Sequence, residues 1–288
     1  MWPNLVLGHR EQRDMTRGLG IPICSHAMLR VALITVATTL VLGVGYSVVY
    51  GTFLDTSHPV LAHFPHPLAT SHYFANKRNI LNVYFIKKAW AWTTAAFFLN
   101  WYTSPYGIRA RRRLVQYLLA TFAWLLFTAW FFGPSLFERL SVASGAQCIV
   151  NVPSGDHVVV PYSLCYSRST ITSATHPELF ASPAFASLSL DQSAFATGWN
   201  GTPRLRRGHD VSGHIFLLTL SILLLVDQLR PSFYTWRRQG QWSAWHYVAV
   251  MANISLIGVW FLGVGTTSIY FHSPLEKFTG FGTCHLCN

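Results

Sequence analysis

Five long apolar runs set the plan of this chain: about Ala32–Tyr50, Val83–Tyr102, Leu114–Phe132, Gly213–Leu229 and His246–Tyr270. Each approaches the ~20 residues that a helix needs to cross ~30 Å of hydrocarbon. The pattern predicts an all-α integral membrane protein, a polytopic helical bundle with five clear spans, forming one domain over residues 1–288. Polar segments separate the runs. Residues 1–30 form a polar leader with Arg10, Arg13, Arg17 and Arg30. Gly51–Asn82 is rich in proline and histidine, and Gly133-Pro134 closes the third run. Residues 134–211, rich in Ser, Thr, Pro and Gly, read as a long loop with few apolar runs, part of it without fixed structure.

Composition agrees with this plan. Charged residues make up 11% of the chain, against about 25% in soluble domains. The net charge is +11, and the cations sit where a membrane topology needs them. The basic leader, the cluster Arg109, Arg111, Arg112 and Arg113, and the group Arg230, Arg237 and Arg238 all fall on the cytosolic side if the leader is cytosolic. The 134–211 loop is then luminal. Nucleic-acid binding does not fit, because the charges flank apolar spans and form no solvated domain. The first apolar run is too long for a cleaved signal segment.

This topology places the chemistry on one face. His214 starts span four and His272 ends span five, both on the luminal side. Lys77, Arg78, Lys87 and Lys88 enter span two from the same side. Lysines at such depth ordinarily reach back to headgroups; beside two histidines they also form a cationic wall for phosphate. Ser212 or Asp210 can cap the helix that Gly213 and His214 open, and a helix start attracts anions. Two histidines suit phosphoryl transfer: a neutral one attacks phosphorus and a protonated one supplies the leaving oxygen's proton, giving a bell-shaped pH profile. Glu276, four residues beyond His272, can orient its ring.

Other features carry less. His58, His63, His66 and His72 read as interfacial loop histidines, and one Cys284-His285-Leu286-Cys287 pair cannot fill four zinc positions, so no metal or other cofactor is expected. His209 has no role beyond its loop. Cys148 and Cys165 can pair in an oxidising lumen. Asn200-Gly201-Thr202 is a glycosylation sequon on the permitted side, whereas Asn253-Ile254-Ser255 lies inside a span.

Three stretches resemble the signatures of the fat storage-inducing transmembrane (FIT) family, in its fungal form. They are Lys77–Thr93, then Asp210-Val211-Ser212-Gly213-His214 with Phe216-Leu217-Leu218, then Ile269-Tyr270-Phe271-His272. The resemblance implies an endoplasmic reticulum membrane protein with its active site facing the lumen, related to lipid phosphatases and phosphotransferases. The implied activity cleaves fatty acyl-CoA at the diphosphate, giving acyl 4′-phosphopantetheine and adenosine 3′,5′-bisphosphate, in support of lipid droplet formation and phospholipid balance. His214 and His272 match the family's catalytic histidines, and by the wider superfamily's pattern His272 is the nucleophile and His214 the acid. Lys77, Arg78, Asn79, Asn82 and Lys87, with Ser212 and Gly213, match the substrate wall. Membrane lipids, diacylglycerol and triacylglycerol are further implied partners. The alternatives are a lipid phosphate phosphatase and a non-catalytic binder of diacylglycerol or triacylglycerol that promotes droplet budding. Two departures stand out: Thr266 occupies the position of the superfamily's arginine six residues before the nucleophile, and the superfamily's first lysine-to-arginine motif is absent. The family has six spans, and the residues up to Asn288 fall where a sixth would begin.

Overall fold

The computed structural model describes residues 23–54, 66–128, 134–152, 156–167, 169–182, 199–206 and 208–285. His58, His63, Arg207 and Cys287 lie outside them, as does the leader before Ile23. Helices dominate: α1 (Ile23–Val49), α2 (Ala89–Thr103), α3 (Arg111–Thr128), α4 (Leu136–Ala143), α5 (Tyr162–Ser167), α6 (Pro177–Phe180), α7 (Gly213–Gln239), α8 (Ala244–Tyr270) and α9 (Pro274–His285). Three of them are long and apolar enough to cross a membrane: Ala27–Val49 within α1, then α7 and α8.

The axis of the bundle is α7. In its apolar stretch 78% of residues are buried inside the protein, against 28% for α1 and 33% for α8. Ile215, Phe216, Leu218, Ile222 and Leu225 of α7 meet Val36 and Leu40 of α1, Ala89 and Trp90 at the start of α2, and Trp260 and Val264 of α8. The outer helices turn large apolar side chains outward: Val41, Leu42 and Val48 on α1, Leu118, Leu119 and Phe122 on α3, Val248, Met251 and Leu262 on α8. Water would penalise such a surface at roughly 25 cal/mol per Å², whereas lipid does not. The chain is therefore a helical, multi-pass membrane protein. Small residues let the helices close up. A Cβ on Gly43 would stand 1.9 Å from Ser268 Oγ, so α1 and α8 can touch only with glycine there.

Several elements differ from the sequence reading. Span four does not stop near Leu229; α7 runs 27 residues, through Pro231, to a left-handed cap at Gly240. The polar residues that look like a terminus are partnered inside the fold: Asp227 Oδ1 meets Arg230 Nη1 at 2.5 Å, and Ser232 Oγ meets His246 Nε2 at 3.0 Å. Span two is not one regular helix. Leu81–Phe85 forms a π-turn and Ile86–Lys88 a 3₁₀ turn before α2 begins. Residues 134–211 are not a featureless loop, and the protein is not purely α. Strands β1 (Gln147–Asn151), β2 (His157–Val159) and β3 (Arg204–Arg206) make an antiparallel sheet in the order β2-β1-β3. Val150, Val152, Val158, Val160 and Ile171 pack around the Cys148–Cys165 disulfide. The apolar alternation here is too short for a span but sufficient for a small two-layer core closed by a crosslink. Asn253 sits fully buried within α8, where no glycosylation can reach it.

One end of the bundle is tied by an arginine. Arg113 is 4% exposed; its Nε donates to Gln228 Oε1 (2.7 Å), Nη1 to Ser104 Oγ (3.1 Å), and Nη2 to Asn100 Oδ1 and Gln228 O (both 3.0 Å). Four adjacent arginines look alike in sequence, yet this one joins α2, α3 and α7. The opposite end carries His214 and His272 and is called the histidine end below.

Arg113→Leu should cost about 3 kcal/mol or more, since it leaves buried acceptors on Gln228 and Asn100 without their donor. A clear fall in the melting temperature of the detergent-solubilised protein checks this. Cys148→Ser with Cys165→Ser opens a crosslink of sequence separation 17 and should cost the sheet about 3 kcal/mol. Faster proteolysis confined to the 134–211 region, with the bundle intact, is the outcome that checks it.

Candidate active site

The histidine end is assembled by α9 lying against the start of α7. Ser212 N–H donates to Glu276 O at 3.0 Å, and a Cβ on Gly280 would stand 2.5 Å from Ser212 O. Lys277, fully buried, donates from Nζ to Ser268 O (2.6 Å) and Ser47 Oγ (3.3 Å), pegging α9 to α8 and α1. On the other side His209 Nε2 meets Thr279 Oγ1 at 2.8 Å, so that histidine fastens the segment leading into α7.

Ser212 is the N-cap residue of α7, but its hydroxyl does not cap the helix; the Oγ is buried without a hydrogen-bond partner. The first-turn N–H groups are not covered by a capping side chain, and they face the histidine end. A Cβ on Gly213 would come no closer than 4.0 Å to Phe137, so the glycine keeps that approach open without being forced by packing. His214 follows in the first turn.

His272 lies in the tight link between α8 and α9 with φ +62, a left-handed backbone that no other non-glycine residue adopts among the described residues. Such a conformation costs roughly 1–3 kcal/mol and persists where neighbours enforce it. Here Phe271 N–H donates to Thr267 O (3.1 Å) and Ser273 N–H to Glu276 Oε2 (2.8 Å). The same Oε2 stands 3.4 Å from His272 Nδ1, a close contact without hydrogen-bond alignment. With Nδ1 turned to Glu276, Nε2 is the nitrogen left for a ligand.

The two histidines fall at the same end of the bundle. The charged groups in electrostatic reach of His214 are His272, Lys87 and Lys77. Lys87 owes its place to the irregular turns after Ile80. Lys77 is held by two buried asparagines: Asn82 Nδ2 donates to Lys77 O (2.7 Å), while Asn79 donates to Asn76 O (2.7 Å) and accepts from Asn82 N–H (2.8 Å). The asparagine amides thus shape the loop that presents the cation. Arg78 is exposed, and its backbone N–H donates to Asn76 Oδ1; its guanidinium is not among the groups that act on His214.

Three further charges surround this core. Partial desolvation, then Arg206, Arg204 and Lys87, push the Lys77 ammonium below the usual lysine range. Desolvation by the groups packed around it raises the Asp210 carboxyl above the usual range, with His272 and Arg206 opposing and Glu276 adding. In sequence no motif sets Arg204 and Arg206 apart within the 134–211 loop. The signal that would have found them is their alternation with the apolar Leu205, the period of a strand. Thr266 is buried and donates to Gly263 O at 3.1 Å. Among the described residues no three His, Cys, Asp or Glu side chains converge as a metal site.

Known proteins match this sequence over most of the chain. The model of the fat storage-inducing transmembrane protein family matches residues 70–255, which include Lys77, Lys87 and His214. The acyl-coenzyme A diphosphatase fit1 of Schizosaccharomyces pombe is 28% identical over 245 residues, covering 85% of this chain and 76% of the relative. The acyl-coenzyme A diphosphatase FITM2 of Homo sapiens is 29% identical over 218 residues (74% and 69%), and that of Danio rerio 24% over 218 residues (74% and 70%). No solved structure matches the chain. With about two thirds of its length matched by the family model, this chain belongs to the fat storage-inducing transmembrane protein family.

Proposed function

We propose that the chain is a fatty acyl-CoA diphosphatase of the endoplasmic reticulum membrane, with five spans and its histidine end facing the lumen. The observation that carries this reading is that His272, Lys87 and Lys77 all lie in electrostatic reach of His214 at one end of the bundle. The diphosphatase names of the relatives point the same way. On this topology α1, the 80–103 segment, α3, α7 and α8 are the spans. α9 packs on α7 and α1 at the histidine end, over the luminal ends of these spans.

In the proposed reaction His272 Nε2 attacks one phosphorus of the diphosphate. The bond from that phosphorus to the bridging oxygen breaks, the electron pair stays on the oxygen, and His214 supplies its proton. Water then cleaves the phosphohistidine P–N bond and releases the second product. Glu276 holds the His272 ring, while Lys77, Lys87 and the helix start at Ser212 and Gly213 stabilise the non-bridging oxygens. Arg78 adds positive charge at the rim, and Asn79 and Asn82 act by fixing the loop that carries Lys77. The acyl chain runs toward the apolar spans. Diacylglycerol and triacylglycerol remain candidate lipid partners, and support for droplet formation and phospholipid balance follows from removal of acyl-CoA.

His214→Ala should lower oleoyl-CoA hydrolysis by about a thousand-fold or more in the solubilised protein. Undiminished turnover would reject the assignment. A phosphatidate substrate cleaved faster than oleoyl-CoA would instead favour a lipid phosphate phosphatase. If droplets in deficient cells are restored by a His214/His272 double variant, the non-catalytic lipid-binding reading is the right one.

Lys77 gives a pH test. Its ammonium binds the anionic substrate only when protonated, and its lowered pKa means that the proton is lost at lower pH than from a free lysine. The kcat/KM value should therefore fall on the alkaline side, and Lys77→Arg, which stays charged, should move that fall to higher pH. Superimposable profiles would show that Lys77 does not hold substrate.

A further inference from the structure

Beside the histidines, between α4, β3 and the segment entering α7, lies a cavity of about 330 Å³. Its walls include Arg204, Arg206, Phe137, Leu205 and Asp210. The size falls at the lower end of the roughly 300–1,000 Å³ typical of small-molecule sites. Arg204 and Arg206 stand two apart on β3 and so project from the same face of the strand, whereas Leu205 between them packs into the core around the disulfide. The Arg206 Nε–H is buried without a hydrogen-bond partner, a donor that an anion can satisfy. Of the acidic groups on the wall, Glu138 accepts from Ser135 N–H (2.8 Å) in a capping box, and Asp210 lies in the field of Arg206, His209 and His272.

The cavity is continuous in charge with the proposed active site. Arg206 and then Arg204 are the charged groups that weigh most on Lys77, and Asp210 belongs to both places, since it lines the cavity and lies within reach of His272. Neither histidine lines the cavity. A molecule with its diphosphate at the histidines has two ends to place. The acyl end belongs with the spans, and the nucleotide end, polar and carrying one more phosphate, needs a water-side pocket with cations and an apolar wall.

Resting on the acyl-CoA reading above, we propose that this cavity binds the 3′-phosphorylated adenosine end of the substrate, with Arg204 and Arg206 holding its 3′-phosphate. The site lies in the disulfide-closed region, outside the histidine and lysine motifs. It makes the 3′-phosphate a specificity determinant of the reaction.

The test compares oleoyl-CoA with oleoyl-3′-dephospho-CoA in the full-length solubilised protein. Loss of charge-assisted hydrogen bonds to one phosphate corresponds to roughly ten- to a hundred-fold in kcat/KM, and the wild type should prefer oleoyl-CoA by that factor. Arg206→Gln and Arg204→Gln should each pull the preference toward unity. The preference is a ratio, so a partly unfolded preparation leaves it unchanged. A wild type that does not distinguish the substrates, or variants that both keep the full preference, would overturn the proposal. If the wild type cleaves neither substrate, the proposed reaction fails instead. Equilibrium binding of adenosine 3′,5′-bisphosphate then still decides for the cavity: binding weakened about ten-fold or more by Arg206→Gln supports it, and binding equal in wild type and variant refutes it.

Discussion

Everything at the histidine end depends on α9 being seated against Ser212, the N-cap position of α7. The backbone bond from Ser212 to Glu276 O fixes the two helices, and Gly280 allows the contact because any side chain there would collide with the Ser212 carbonyl. From that seat Glu276 reaches back to Ser273 N–H and to the His272 ring. The left-handed turn at His272 is the local consequence: the chain must reverse between α8 and α9 within a few residues. Lys277 completes the seat by filling the gap between α1 and α8 with a buried, hydrogen-bonded ammonium.

The bundle beneath is asymmetric in what holds it. At the arginine end, Arg113 converts three helices into one hydrogen-bonded unit. At the histidine end the ties run largely through backbone groups and hydroxyls, and the cations Lys77 and Lys87 remain open. Rigidity at one end and unpaired positive charge at the other is what an anionic substrate delivered from one face of a membrane requires. The small disulfide-closed sheet adds two arginines to that charge from a part of the chain remote in sequence.

Much of this was legible in the sequence. Apolar run lengths located the long helices, because a lipid-facing helix must be apolar throughout and cannot hide the signal. The Ser-Gly-His start of α7 and the Tyr-Phe-His end of α8 were legible as polar groups at helix ends, which stand out against their apolar surroundings. What was not legible depended on partners far along the chain. Arg113 differs from Arg111 and Arg112 only through Gln228, more than a hundred residues away. The end of α7 was misread because Asp227, Arg230 and Pro231 mimic a stop until Ser232 finds His246. The residues 147–206 looked structureless because short strands, whose pairing spans some sixty residues, leave only weak alternation. Asn79 and Asn82 read as substrate contacts, while the fold uses their amides to shape the loop of Lys77.

The central claim is that His214 and His272 serve one chemical step. Single-turnover cleavage of oleoyl-CoA by His214→Ala, His272→Ala and the double variant tests it most directly. Residues that act as a unit give non-additive losses, so the double variant should be no slower than the slower single variant. Losses that multiply, or a His272→Ala protein that reacts at the wild-type rate, would contradict the account.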